Sequence, residues 1–148
     1  MRQLSKAGIS VGLPDGWEGR IYQRTPERGA TSAQVMHVAS FAIPPEVGDF
    51  GGGAVELMSS RDLLIVLFEY GRASAVKSMF SSQGIPRIRP DDVSASQLQR
   101  TLEGQGGVQR FFTENGRAFC LYVVFGSYLR RVRTVPVVNG VLESLAII

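Results

Sequence analysis

Few residues in this chain offer chemistry. The densest candidate is Gly48-Asp49-Phe50-Gly51-Gly52-Gly53, which has the glycine content of a loop that cradles phosphate. A P-loop must end in Gly-Lys-Ser/Thr, because the lysine reaches the phosphates and the hydroxyl holds magnesium. Here Gly53 is followed by Ala54-Val55-Glu56. A dinucleotide fingerprint needs a parallel βαβ setting, and no such setting is legible. What remains is a loop with positive-φ positions that closes over a partner or a small ligand. Its candidate contact residues are Asp49, Phe50, Gly51 and Gly52.

With one histidine and one cysteine, a multi-histidine or multi-thiolate metal site is excluded and no cofactor is implied. His37 is the one residue available as an imidazole base. It alternates with Val35, Ala39, Phe41 and Ile43 on one strand face, where a half-buried, hydrogen-bonded role is its ordinary fate. Cys120 sits in Ala118-Phe119-Cys120-Leu121-Tyr122 and reads as a small buried hydrophobe rather than a nucleophile. Glu69 ends an apolar run, so its carboxylate must reach solvent or a cation. Arg72 and Arg117 are the candidate partners. Arg130, Arg131 and Arg133 form the strongest basic cluster, either a solvated face or a contact for an anionic surface.

These side chains need a scaffold, and the composition supplies one. The chain has 148 residues, 44% hydrophobic and 20% charged, the mixture of a globular domain and not of a disordered chain. At this length a single domain spanning 1–148 buries ~70% of its unfolded surface without disulfides or metal. No apolar run reaches the ~18 residues of a membrane span. The net charge is +3, with −1 on residues 1–74 and +4 on 75–148. That asymmetry is too small for the dense basic stripe of a nucleic-acid binder. No leader is visible after Met1-Arg2-Gln3-Leu4-Ser5-Lys6, and the lone cysteine suits a reducing compartment. The expectation is therefore cytoplasmic, although a leader already removed leaves the same sequence.

The elements follow from pattern. Leu13-Pro14-Asp15-Gly16 is a turn signal that predicts a hairpin between strands at 9–13 and 19–24. The polar stretch 25–32 reads as a loop. Residues 35–43 predict a strand ended by Pro44-Pro45. Residues 63–70 are apolar at nearly every position, which predicts a strand buried on both faces. Short helices are predicted over 74–80, with Val76, Met79 and Phe80 on one face, and over 94–103, with Leu98 and Leu102. Asn115-Gly116 between 108–113 and 117–125 is the strongest signal, a tight hairpin. A terminal helix from Val135 carries the stripe Val135, Val138, Leu142 and Leu145, with Thr134 as cap and Pro136 in its first turn. A separate short helix over 127–133 precedes it. The fold class is then α+β: an antiparallel sheet of about six strands with helices on both faces, an α/β/α sandwich.

Ile9-Ser10-Val11-Gly12-Leu13-Pro14-Asp15-Gly16-Trp17 resembles the strand–Pro–x–Gly–Trp opening of PsbP-like domains. The apolar central strand and the terminal helix after a hairpin suit that fold as well. The chain also looks like small proteins of actinobacteria, which its excess of arginine over lysine suits. The resemblance implies an antiparallel sheet flanked by helices, on a scaffold whose members mostly bind partners and are not enzymes. No functional residue is carried over by it.

The function this reading favours is a non-enzymatic binding or interaction domain with a protein partner and no membrane span. Its contact surface is the 46–53 loop with the Glu69–Arg72 turn, and a homodimer is compatible with it. The alternative is a small-ligand protein or enzyme with a pocket on the sheet, using Glu69, His37 and arginines. The third reading is nucleic-acid binding through Arg130, Arg131 and Arg133.

Overall fold

The computed structural model describes residues 1–24 and 33–148; the loop expected over 25–32 lies outside the described residues. The centre of the molecule is a five-stranded antiparallel sheet. It contains β3 (Glu18–Arg24), β4 (Ala33–Ala39), β5 (Leu63–Glu69), β6 (Gly106–Glu114) and β7 (Arg117–Phe125) in the order β3-β4-β5-β7-β6. A three-stranded antiparallel sheet is formed by β1 (Arg2–Lys6), β2 (Ile9–Leu13) and β8 (Ala146–Ile147), in the order β1-β2-β8. The single α-helix among the described residues is α1 (Arg131–Glu143), which continues a 3₁₀ turn at Tyr128–Arg130.

Alternation along the strands makes two cores. On one face, Leu63, Ile65 and Leu67 of β5 and Phe119, Leu121 and Val123 of β7 pack against Val135, Val138 and Leu142 of α1 and Ile9, Val11 and Leu13 of β2. On the other, Leu64, Val66, Cys120, Tyr122 and Val124 meet Phe41, Phe50, Val55, Leu98 and Leu102. β5 and β7 are therefore buried on both faces, as their unbroken apolar runs require.

The cover on the second face corrects the α/β/α sandwich. Helices do not flank both faces: α1 and the small sheet cover one, and irregular chain covers the other. Where helices are expected over 74–80 and 94–103, the chain makes 3₁₀ turns at Arg72–Val76, Ser78–Phe80 and Ala95–Gln97. A single helical turn fixes more dihedrals than its bonds repay unless an apolar stripe is buried. Here Phe80 is buried but Val76 is 91% exposed and Met79 53%, so the stripe has no floor. Gly84, Pro86 and Pro90 then stop any extension.

The first hairpin is also corrected. The Pro14–Trp17 turn forms, with Trp17 N donating to Pro14 O and Gly16 at φ 81°. The strands on either side of it do not pair. β2 pairs instead with β1 and β8, and β3 pairs with β4, so the turn carries the chain from one sheet to the other. The true hairpin turns at Ala7-Gly8, both at positive φ. Alanine gives no signal for that conformation, and β1 is too polar to read as a strand. The Asn115-Gly116 hairpin is as expected, with φ of 51° and 75°. The strand expected over 35–43 stops at Ala39. α1 starts a turn earlier than expected, so Pro136 lies inside it, and Thr134 Oγ1 bonds back to Arg130 O.

Candidate functional site

Register decides which of the chemical side chains meet. β3 pairs with β4 so that Arg20 lies opposite His37 and Tyr22 opposite Val35. These three side chains hold down the glycine-rich loop. Arg20 donates to the carbonyls of Pro44 and Pro45. His37 Nε2 lies 2.8 Å from Asp49 O, and Tyr22 donates to Asp49 Oδ1 at 2.6 Å. Phe50 stacks on Phe68 at 4.9 Å and meets Tyr122 edge-on at 5.6 Å. Gly51, at φ 89°, passes so close to the sheet that a Cβ would stand 2.5 Å from Leu64 Cδ2. The loop is thus a cover fastened over the second core.

His37 is fully buried. Because the Asp49 carbonyl can only accept, the neutral ring carries its hydrogen on Nε2. Nδ1 has no protein partner. Burial pushes the imidazole below its ordinary value of 6.5, Arg20 adds to the lowering, and the Asp49 carbonyl opposes it. The unfolded chain therefore takes up the proton first as pH falls. Stability from neutral His37 is complete above pH ~6.5 and is lost as pH drops through the folded-state value. Wild type is expected to lose more urea stability between pH 7.5 and 5.0 than His37→Gln; equal losses in the two proteins would sink the assignment.

Beneath the loop lies a cavity of about 310 Å³. Its apolar walls are Phe50, Val55, Leu98, Tyr122 and Val124, and Gln105 is its buried polar group. Gly52 and Gly53 form part of the rim. Gln105 enters at the Gly104-Gln105-Gly106-Gly107 run. A Cβ on Gly107 would stand 2.5 Å from Leu98 Cδ2, so the absence of one lets the 94–105 segment close on β6. Gln105 is 7% exposed. Its Nε2 donates to Val55 O at 2.8 Å, which fixes the amide's orientation, and its Oε1 has no protein partner. The Tyr122 hydroxyl accepts from Gln99 N at 2.7 Å. Burial raises its pKa, so it keeps its proton. Across the cavity's mouth, Arg100 meets Glu56 at 3.1 Å, and Glu56 also accepts from Gly53 N.

Of the residues singled out in the sequence, Phe50 and Gly52 reach this cavity. Asp49 and Gly51 hold the loop in place behind it. Glu69 and Arg72 line a separate polar cleft with Arg117 and Gln34. Glu69 continues the face of Leu63, Ile65 and Leu67, whereas His37 continues that of Val35 and Ala39. The two therefore lie on opposite sides of the sheet and share no pocket. Glu69 is paired with Arg117 at 2.8 Å, the structural role. Arg131 lies over the Tyr128 ring at 3.9 Å, and Arg130 stands in the turn that starts α1. Cys120 is buried with its pKa raised to about 11 by burial, which fits a packing role. No known family, curated protein or solved structure matches the chain. The geometry of the site carries the functional argument alone.

Gln105, Glu56, Arg100 and the cavity-lining role of Tyr122 were not legible as site residues. The usable signal was a lone glutamine among three glycines at the start of a strand, where close backbone approach leaves a polar side chain nowhere to go but inward. No helix among the described residues is long and apolar enough to cross a membrane.

Proposed function

We propose that this protein is a binding domain for a small molecule, held between the 48–56 loop and the 98–105 segment on the outer face of β7. The observation that supports this reading is the cavity itself, about 310 Å³ walled by Phe50, Val55, Leu98, Tyr122 and Val124 with polar groups of Gln99, Gln105 and the Glu56–Arg100 pair along it. Apolar walls with one or two placed polar groups are the usual make-up of a ligand site, and 310 Å³ falls at the small end of the usual range. Asp49 and Phe50 are turned toward the sheet, which favours a ligand beneath the loop over a protein held against its outer side. The other clefts, such as that at Ile85–Arg87 and α1, are more open to solvent.

The test is a fragment screen by methyl NMR on the purified protein. The expected result is a set of millimolar or tighter binders that shift the methyl signals of Val55, Leu98 and Val124 while leaving Val135 and Val138, on the other face, unmoved. If no fragment moves those signals at millimolar concentration, the cavity is not a ligand site.

A further inference from the structure

Helix α1 is apolar nearly all round, the make-up of a helix enclosed on every side. Only one side of it is covered: Val135, Val138 and Leu142 are taken up by the core. On the outer side Val132 is 66% exposed, and Leu129, in the turn that leads into α1, is 86% exposed. With Pro136 and Gly140, also exposed, they form one stripe at spacings of three and four residues.

Two features of this outer side disfavour a lone copy of the chain. Gly140 stands in mid-helix, where glycine is among the poorest choices, yet a Cβ there would meet nothing within 4 Å. The charges also oppose the helix dipole. The first turn holds Arg131 and Arg133 with no acidic residue, and the helix ends on Glu143 with no basic residue in its last turn.

We propose that a second copy of this chain covers this face, with α1 packed antiparallel on α1 about a two-fold axis at the level of position 138. Pro136 and Gly140 are symmetric about that position, so the proline of each copy falls on the glycine of the other, which lets the helices approach closely. Arg133 and Glu143 are symmetric about it too. Each arginine then meets the other copy's glutamate and the negative end of its helix, which reverses the dipole penalty. Arg133 has no ion-pair partner among the described residues, and Glu143 has only an exposed contact with Arg87, a kind worth little. Val132 falls level with Ser144, at the cleft of about 350 Å³ between Ile85, Leu142 and Leu145. Val132 and this cleft lie on the same flank of the helix, and the two-fold keeps them on the same side. A lipid surface also suits arginines beside apolar side chains, but it gains nothing from the gap at Gly140 or from Glu143.

Sedimentation velocity of the intact protein between about 5 and about 500 µM tests the proposal, the range suited to a small, transient interface. Wild type is expected to pass from monomer to dimer across it. Gly140→Gln is expected to weaken the dimer about tenfold or more. Its thermal midpoint at about 5 µM is not expected to fall, since the side chain enters open space and improves the helix. Arg133→Glu and Glu143→Arg are each expected to weaken the dimer about fivefold, and both suit the dipole of the lone helix, so neither should unfold it. The double variant is expected to recover wild-type association, as only the antiparallel pairing allows. A wild type still monomeric at about 500 µM overturns the proposal, and binding of that monomer to vesicles of phosphatidylserine and phosphatidylcholine would give the face to a lipid surface instead. A dimer unmoved by Gly140→Gln forms elsewhere on the molecule and overturns it as well. A double variant no better than the single ones overturns the antiparallel register.

Discussion

Replacing Arg117 by alanine is expected to cost about 3–5 kcal/mol of unfolding free energy, the range for breaking a buried ion pair from one side. Arg117 meets Glu69 through two parallel bonds, Nε to Oε2 at 2.8 Å and Nη2 to Oε1 at 2.9 Å. Their side chains are only 14% and 9% exposed, so solvent screens the pair little. Nη1 also donates to the main-chain oxygens of Ala7 and Ile148, which ties the edge of the small sheet to the large one. Alanine therefore strands the Glu69 carboxylate, whose remaining protein donor is Gln34 N, and unpins the two sheets. Against a total stability of about 5–15 kcal/mol, that is a large share. With a urea slope of about 2 kcal/mol/M, the midpoint is expected to fall by roughly 2 M. Arg117→Lys keeps the charge but not the fork, and it is expected to recover only part of the loss. The pair Glu69→Leu with Arg117→Met removes both charges together and is expected to be more stable than either single change. A fall of less than 1 kcal/mol in Arg117→Ala would mean that water reaches the pair.

The history of Glu69 shows what sequence can carry. Its position after the six apolar residues 63–68 forces a cation on it, and Arg117 was one of two candidates by chemistry alone. Which one it takes depends on the β5–β7 ladder, where Glu69 lies opposite Phe119, two residues from Arg117. That ladder is a long-range fact with no local signature. The same holds for His37 and Glu69, both chemically suggestive, which the β4–β5 register puts on opposite faces by pairing His37 with Val66. Elements whose cause is local were readable: the Asn115-Gly116 turn and the helical stripe of Val135, Val138 and Leu142, although Leu145 lies past the helix end at Glu143. Elements whose cause is tertiary were not. The polar β1 is a strand because β2 offers it a partner, and the 71–105 segment is irregular because side chains elsewhere fasten it down.

Asn139 is the clearest of those fastenings, and Asn139→Leu is expected to cost roughly 2–6 kcal/mol, from two buried backbone groups left unpaired at about 1–3 kcal/mol each. Its Oδ1 accepts from Ile88 N at 2.9 Å and its Nδ2 donates to Ile88 O at 2.8 Å. The residue is 6% exposed and Ile88 1%, so water cannot replace either bond. One amide on α1 thereby substitutes for a β-bridge and fixes the chain that leads into the cavity's 98–105 wall. Leucine matches asparagine in size and should pack with the neighbouring apolar core, so the loss isolates the polar pairing. Asn139→Asp retains an acceptor for Ile88 N but confronts Ile88 O with a second acceptor. Its deficit is expected to narrow as pH falls, when protonation restores a donor. Unfolding curves at pH 7 and pH 4.5, read relative to wild type, check both claims. Hydrogen exchange at the Ile88 amide is expected to accelerate in the leucine variant. The cavity wall has its own local bonds, Ser94 with Gly107, Gln97 Oε1 with Gln109 N and Gln99 N with Tyr122. Ligand affinity should therefore survive in Asn139→Leu at temperatures below its unfolding. Affinity that fell in step with stability would mean that the wall is positioned from α1 and not from the sheet it lies on.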